Sequence, residues 1–286
     1  MKIINTIAEM KEIVKEAKKL GQRIGLVPTM GFLHQGHLNL MERARENCEL
    51  LVTTIFVNPL QFGAGEDYDD YPRDLTRDAE LARGVGVDII FAPSVKEMYP
   101  QGYYTFVNTD TITEVMCGAS RPGHFKGVTT VVNKLFNITQ PDEAYFGQKD
   151  AQQVIVIEKM VTDLNMPINI VRVPIVREED GLAMSSRNVY LSSEEREQAV
   201  ILYQSLCKAR ELIAGGLTMK DKLYHAIKEN IEEASLAKID YIEIRDAQSL
   251  MPQEEKLTGK VLIALAVRFG KTRLIDNIIV EVVNDV

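Results

Sequence analysis

Ile24-Gly25-Leu26-Val27-Pro28-Thr29-Met30-Gly31-Phe32-Leu33-His34-Gln35-Gly36-His37 is the stretch from which the rest of the chain is read. Ile24–Val27 is a short apolar run suited to a strand buried on both faces, and Pro28 is expected to break it. Gly31 and Gly36 let backbone approach a bulky ligand. A helix pattern follows, with Leu38, Met41, Ala44 and Arg45 leading to Cys48. A strand-to-helix turn of this kind gathers backbone N–H groups and the positive end of a helix dipole, which suits an anion. His34 and His37 fall three apart, on one face of the first helical turn, where two imidazoles can donate hydrogen bonds to phosphate oxygens. The chain has four histidines, so half of them lie in this one turn. The plain alternative is an ordinary loop with two helix-surface histidines. A zinc site is disfavoured: His-x-x-His here has no third ligand nearby and lacks the His-Glu-x-x-His arrangement.

Working outward, the same alternation recurs. Thr6–Glu9 fits a capping box, and Ile7, Met10, Ile13, Val14 and Ala17 predict a helix that Gly21 stops. Leu50–Val57 predicts a strand, Asn58–Pro72 a loop, Asp74–Val85 a helix and Val87–Ala92 a strand. A helix around Gly127–Ile138, a strand at Ala144–Gly147, a helix over Asp150–Leu164 and a strand over Ile168–Val176 complete the series. Short apolar strands alternating with amphipathic helices indicate an α/β domain, a Rossmann-like doubly wound parallel sheet, over residues 1–176. Ligands on such sheets bind beyond the carboxyl ends of the strands, so the loops after Val27, Val57, Phe146 and Val176 are the ones to inspect.

The pattern changes after Arg177. Glu178-Glu179-Asp180-Gly181 is a charged loop, and Ser192 with Glu195 has capping-box spacing. Two helices, about Glu194–Ala214 and Met219–Ala234, join through Gly215-Gly216; strands follow at Tyr241–Arg245, Val261–Val267 and Leu274–Val283. Helices followed by strands predict a smaller α+β domain over 177–286.

Composition limits the partners. A chain of 286 residues with 45% hydrophobic residues buries a core without staples, and a net charge of −8 argues against a surface for nucleic acid or anionic lipid. The N-terminal residues turn polar at once, and no window approaches the roughly 20 apolar residues of a membrane helix. The three cysteines, Cys48, Cys117 and Cys207, are scattered, as in a reduced cytoplasmic protein.

Two further segments carry chemistry. Gly147-Gln148-Lys149-Asp150 lies at a second strand-to-helix switch, with Lys149 as a point cation and Asp150 able to cap or to accept from a hydroxyl. Met184-Ser185-Ser186-Arg187 offers two hydroxyls and a guanidinium in a loop able to close on phosphate, a possible lid. A surface lysine with a capping aspartate, and a polar linker, are the respective plain readings.

Pro28–His37 resembles the extended His-x-Gly-His signature of the pantoate–β-alanine ligase family, within a nucleotidyltransferase superfamily that also holds class I aminoacyl-tRNA synthetases. Agreement extends along nearly the whole chain, through Phe56–Phe62, Tyr71–Asp74, Arg121–Phe125, Phe146–Gln153 and Met184–Asn188, with Arg187 where the superfamily's Lys-Met-Ser-Lys-Ser loop has a lysine. The resemblance implies ATP-dependent condensation of pantoate with β-alanine through a pantoyl adenylate, with magnesium held mainly by the ATP phosphates, and a homodimer. It implies ATP contacts from Met30, Gly31, Phe32, Leu33, His34, Gln35, Gly36, His37, Gly147, Gln148, Lys149, Asp150, Val176, Met184, Ser185, Ser186 and Arg187, with His37 catalytic and Val176 beside the adenine. Gln61 and Gln153 are implied to contact pantoate, and Gln61 also β-alanine. Arg121 and Lys126 are candidates for extra positive charge near the cleft or for an exposed, solvated role, and Asp78 for a magnesium contact or a plain helix face. Two rival readings keep the same residues: a nucleotidyltransferase that leaves AMP on a phosphorylated vitamin intermediate, and a synthetase-derived nucleotide sensor or RNA-binding module.

Overall fold

Strands too apolar to face water must be covered on both sides, and helices following each strand supply the cover. The computed structural model describes residues 1–282. Its elements are β1 (Lys2–Ile4), α1 (Ile7–Lys19), β2 (Ile24–Thr29), α2 (Gln35–Arg45), β3 (Leu50–Ile55), α3 (Leu75–Gly84), β4 (Ile89–Phe91), α4 (Val95–Met98), α5 (Cys117–Ser120), α6 (His124–Thr139), β5 (Glu143–Gly147), α7 (Ala151–Asp163) and β6 (Asn169–Val173). There follow α8 (Ser193–Ala199), α9 (Ile201–Ala214), α10 (Lys220–Glu232), β7 (Ala237–Asp246), β8 (Gly259–Phe269) and β9 (Thr272–Val282), and 3-10 turns lie at Pro59–Gln61, Gln148–Asp150 and Ser186–Tyr190.

The chain forms two compact units. One comprises Met1–Gln148 and Val156–Pro174; the other comprises Lys149–Ile155 and the chain from Ile175 onward. The first unit holds a six-stranded parallel sheet in the order β1-β4-β3-β2-β5-β6. The order reverses at β2, which lies between β3 and β5, so the loop after β2 opens at the topological switch point where α/β sheets bind ligands. Val27, Leu51, Ile90 and Tyr145 share one buried cluster with Leu40, Met41 and Ala44 of α2. Their strand neighbours Leu26, Val52, Ile89 and Ala144 point to the opposite face and are equally buried, on the side where α6 meets β2 and α1.

The second unit has an antiparallel sheet in the order β7-β8-β9, with helices α8 to α10. Leu202, Leu206 and Ala209 of α9 and Leu223, Ile227 and Ile231 of α10 share a core with Ile263, Leu265 and Val267 of β8.

Several boundaries differ from expectation, each for a local reason. Pro28 does not break β2, which runs on to Thr29. Beyond Leu26 the strand is paired only with β3, since β5 pairs it at Gly25 and Leu26 alone, so the missing N–H costs no ladder bond. The segment read as one helix over Glu194–Ala214 is divided at Val200 into α8 and α9. The strand expected over Ile168–Val176 ends at Val173, before Pro174. β1 is too short to give a periodic signal in the sequence; it pairs with β4. The expected end of the last strand, Val283, lies outside the described residues.

Gly25 and Gly127 are among the glycines that permit a close approach. A Cβ on Gly25 would lie 2.6 Å from Cys48 Sγ, and one on Gly127 of α6 would lie 2.2 Å from the Leu60 carbonyl oxygen. The latter contact seats the 3-10 turn that carries Gln61. Gly127→Ala should therefore lower unfolding free energy by about 1–3 kcal/mol through overpacking. Gly84→Ala, at the end of α3 where a Cβ meets nothing within 4 Å, should raise it by about 0.4–1 kcal/mol. Urea titration of both variants reads the contrast, and equal effects would contradict the packing argument.

Candidate functional site

The loop after β2 is built on threonines. Thr29 Oγ1 donates to the Thr54 carbonyl at 2.6 Å and accepts from Gly31 N–H at 3.2 Å, which turns the chain off the strand. The turn needs left-handed backbone twice, at Gly31 with φ 87° and at Phe32 with φ 49°. A non-glycine residue held there stores strain, so something must hold it.

Asp78 of α3 does so. Its side chain is 1% exposed; Oδ2 accepts from Phe32 N–H at 2.8 Å and Oδ1 from Leu33 N–H at 2.7 Å. Burial pushes its carboxyl above the usual carboxylate range, against the pull of those two N–H groups and of Arg77. The Arg77 guanidinium lies over the Phe32 ring, 5.0 Å from its centroid. Both carboxylate oxygens are thus committed to the loop's backbone, and Leu33 is fully buried.

The loop delivers its histidines at the start of α2. His34 is the N-cap and His37 the third helical residue. His34 Nδ1 accepts from Gly36 N–H at 3.1 Å, and His37 Nδ1 accepts from His34 N–H at 3.3 Å. This is a capping box in which imidazoles replace the usual serine and glutamate. The ring centroids lie 4.0 Å apart. Because each Nδ1 is an acceptor, each neutral ring carries its proton on Nε2. The pair therefore forms one preorganised unit at the positive end of a helix of 11 residues.

Gln61 ends its 3-10 turn in the same unit. Its Nε2 donates to Met30 Sδ at 3.2 Å and its Oε1 accepts from Asn58 Nδ2 at 3.0 Å. Asn58, 1% exposed, also donates to the Gly127 carbonyl and accepts from the Tyr99 hydroxyl at 2.8 Å. The Gln61 carbonyl accepts from Arg121 Nη2 at 3.2 Å and from His124 Nδ1 at 2.8 Å. Arg121 can only donate, so the His124 Nε2 it touches at 3.2 Å is the acceptor and Nδ1 carries the hydrogen. Arg121 also forks onto Glu66 at 2.7 and 2.6 Å, and that hydrogen-bonded pairing holds the Glu66 carboxyl down at about 2. Arg121 is thus tied to loop 61–66, and Lys126 lies over the Phe106 ring at 4.5 Å. A cavity of about 290 Å³ opens beside Met30 and Gly31, lined also by Ile55, Phe56, Asp78 and Ser94.

The second unit carries the other expected segments. Lys149 and Asp150 lie in the 3-10 turn before α7, with Nζ 3.8 Å from Asp150 Oδ2, and Gln153 is on the first turn of α7. Gly147 and Gln148, the preceding residues, belong to the first unit, and a Cβ on Gly147 would meet no protein atom within 4 Å. Met184 N–H donates to the Val176 carbonyl at 3.0 Å, closing the loop between them. Ser185 caps the 3-10 turn, its Oγ accepting from Arg187 N–H at 3.3 Å, and Ser186 is buried. Asn188 Nδ2 ties the turn to Glu178 Oε1 at 2.9 Å and to the Ala183 carbonyl.

From the sequence, Asp78 is expected at most to meet magnesium, Asn58 and His124 only fall within segments that carry the resemblance, and Glu66 has no local signal, so none reads as a residue that holds a loop. Each acts on a residue far along the chain, and only a strand-to-helix register would have located them. Asp78→Asn replaces one acceptor by a donor facing a donor, so the variant should lose about 1–3 kcal/mol of unfolding free energy. Urea titration measures this; wild-type stability would contradict the role given to Asp78.

The pantoate–β-alanine ligase family model matches residues 2–279. A pantothenate synthetase of Acetivibrio thermocellus is 61% identical over 99% of this chain and 100% of its own, and one of Heliobacterium modesticaldum is 60% identical over the same shares. The pantothenate synthetase structure of Thermus thermophilus superposes with a TM-score of 0.92 at 46% identity, covering 97% of this chain and 99% of that one. A pantoate–β-alanine ligase structure from Francisella tularensis, complexed with βγ-ATP and β-alanine, superposes at 0.80 with 35% identity and 97% coverage of each. The chain belongs to the pantoate–β-alanine ligase family.

Proposed function

We propose that the chain performs its family's ATP-dependent ligation of pantoate to β-alanine in two steps, with roles for the residues described above. A carboxylate does not react with an amine at neutral pH, because oxide would have to leave. The pantoate carboxylate therefore attacks the α-phosphorus of ATP, pyrophosphate departs, and a pantoyl adenylate forms. The β-alanine amine then attacks the acyl carbon and AMP departs. The protein contributes positioning and charge neutralisation.

The observation that carries the assignment is the imidazole capping box, which fixes both rings at a helix N-terminus with Nδ1 as acceptor and leaves Nε2 as the hydrogen-bearing nitrogen of each neutral ring. His37 is the donor to the phosphate where charge develops, with His34 beside it. Met30, Gly31, Gln35 and Gly36 shape the surrounding backbone, and Phe32 and Leu33 contribute by anchoring it to Asp78. Gly147, Gln148, Lys149, Asp150, Val176, Met184, Ser185, Ser186 and Arg187 are the further ATP contacts in this proposal. Gln61 and Gln153 hold pantoate, and Gln61, fixed through both its amide and its carbonyl, also faces β-alanine. Magnesium comes on the ATP phosphates: imidazole, ammonium, hydroxyl and guanidinium complement phosphate oxygen, Asp150 is the one carboxylate among these contacts, and the Asp78 oxygens are taken by the N–H groups of Phe32 and Leu33. The homodimer implied by the resemblance and the cytoplasmic location read from the cysteines belong to the same proposal. No helix among the described residues is long and apolar enough to cross a membrane.

His37→Ala should lower pantoate-dependent exchange of pyrophosphate into ATP about 10²-fold, the effect of losing one well-placed oxyanion donor. Exchange at the wild-type rate would remove His37 from the mechanism.

A further inference from the structure

Strand β9 crosses the second unit with two adjacent polar residues, Asp276 and Asn277, each only 2% exposed. Burying either costs free energy unless its polar atoms are partnered, so their partners show what the strand gains. Asn277 Nδ2 donates to the backbone carbonyl of Lys149 at 3.0 Å. A carbonyl can only accept, which orients the Asn277 amide with its nitrogen toward Lys149. Asp276 forks onto Arg177, at 2.6 Å to Nη1 and 2.9 Å to Nη2. Arg177 in turn donates to the Gly181 carbonyl at 3.0 Å and lies 4.1 Å from the centroid of the Tyr203 ring. Adjacent strand residues face opposite sides of a sheet. One strand thus holds the turn of Lys149 by one residue and the base of the Val176–Arg187 loop by the next.

We propose that Asn277 and Asp276 are positioning residues for ATP: Asn277 fixes the backbone from which the Lys149 ammonium projects, and Asp276 fixes Arg177 at the root of the loop bearing Ser185, Ser186 and Arg187. Neither touches the reacting atoms in this account. The inference rests on the assignment of Lys149 and the Ser185–Arg187 segment to ATP. It adds that their placement is set from a strand more than a hundred residues away from Lys149 in sequence.

Two variants test it. Asn277→Asp keeps the shape of the side chain but sets an acceptor against the Lys149 carbonyl, and Asn277→Ala removes the donor outright. Each should raise the ATP KM in pantoate-dependent exchange about tenfold, the effect of losing one buried hydrogen bond. Aminolysis of supplied pantoyl adenylate by β-alanine should stay within about twofold of wild type, since it does not use the triphosphate. Such a split between half-reactions is not expected from a merely structural residue, whose loss lowers both together with the thermal midpoint. Equal loss in both half-reactions, or an unchanged ATP KM in a folded variant, would overturn the proposal. Should Asn277→Asp fail to fold, Asn277→Ala supplies the same comparison. A wild-type chain inactive in exchange would instead remove the functional assignment itself, and this inference with it.

Discussion

The site depends on a buried carboxylate placed behind a loop rather than in front of it. Asp78 binds the N–H groups of Phe32 and Leu33 from inside the unit. A helix N-terminus ordinarily directs spare N–H groups at an anion. Here two of the preceding N–H groups are taken by the protein's own anion, and the Nδ1 atoms of two imidazoles take the N–H groups of His34 and Gly36. Without that internal anion, the left-handed backbone at Phe32 would relax and the N-cap would move with it. Burial pushes the Asp78 carboxyl up, against its charged form, and the Leu33 and Phe32 N–H groups offset part of that cost.

A common design recurs around the other residues. Gln61 is not held by one contact but by a turn seated on Gly127, a buried Asn58 and the Arg121–Glu66–His124 group at its carbonyl. The loop after Val176 is closed by Met184 N–H and tied through Asn188 to Glu178. In each case a charged or amide side chain is committed to backbone, so the residue assigned a function stands on a fixed base. Positioning of this sort is what an adenylation needs, since displacement at phosphorus is driven chiefly by geometry and charge neutralisation.

Much of this was legible in the sequence because its signals are local. Short apolar strands between amphipathic helices indicate a parallel sheet, and the glycine-flanked histidines fall at the switch point. The capping box predicted at Ser192 is formed in both directions, and at Thr6 the hydroxyl accepts from Glu9 N–H as expected. What escaped is non-local. Pro28 reads as a strand breaker until it is known that β2 is paired on one side only beyond Leu26. Asp78 reads as one more acid on a helix, because its partners lie 45 and 46 residues earlier. Arg121 reads as extra positive charge near the cleft or as a solvated cation, although Glu66 and Gln61 occupy it. The mutual capping of His34 and His37 lay between these cases: the spacing was visible, but not that the rings accept through Nδ1.

The tautomers of His34 and His37 are open to direct measurement. Nitrogen-15 NMR of imidazole-labelled protein, above the pH at which the rings protonate, reports which ring nitrogen carries hydrogen. The account predicts Nε2–H tautomers for both His34 and His37, with MgATP shifting both Nε2 resonances and leaving the Nδ1 acceptors in place. An Nδ1–H tautomer in either ring, or spectra unmoved by saturating MgATP, would contradict it.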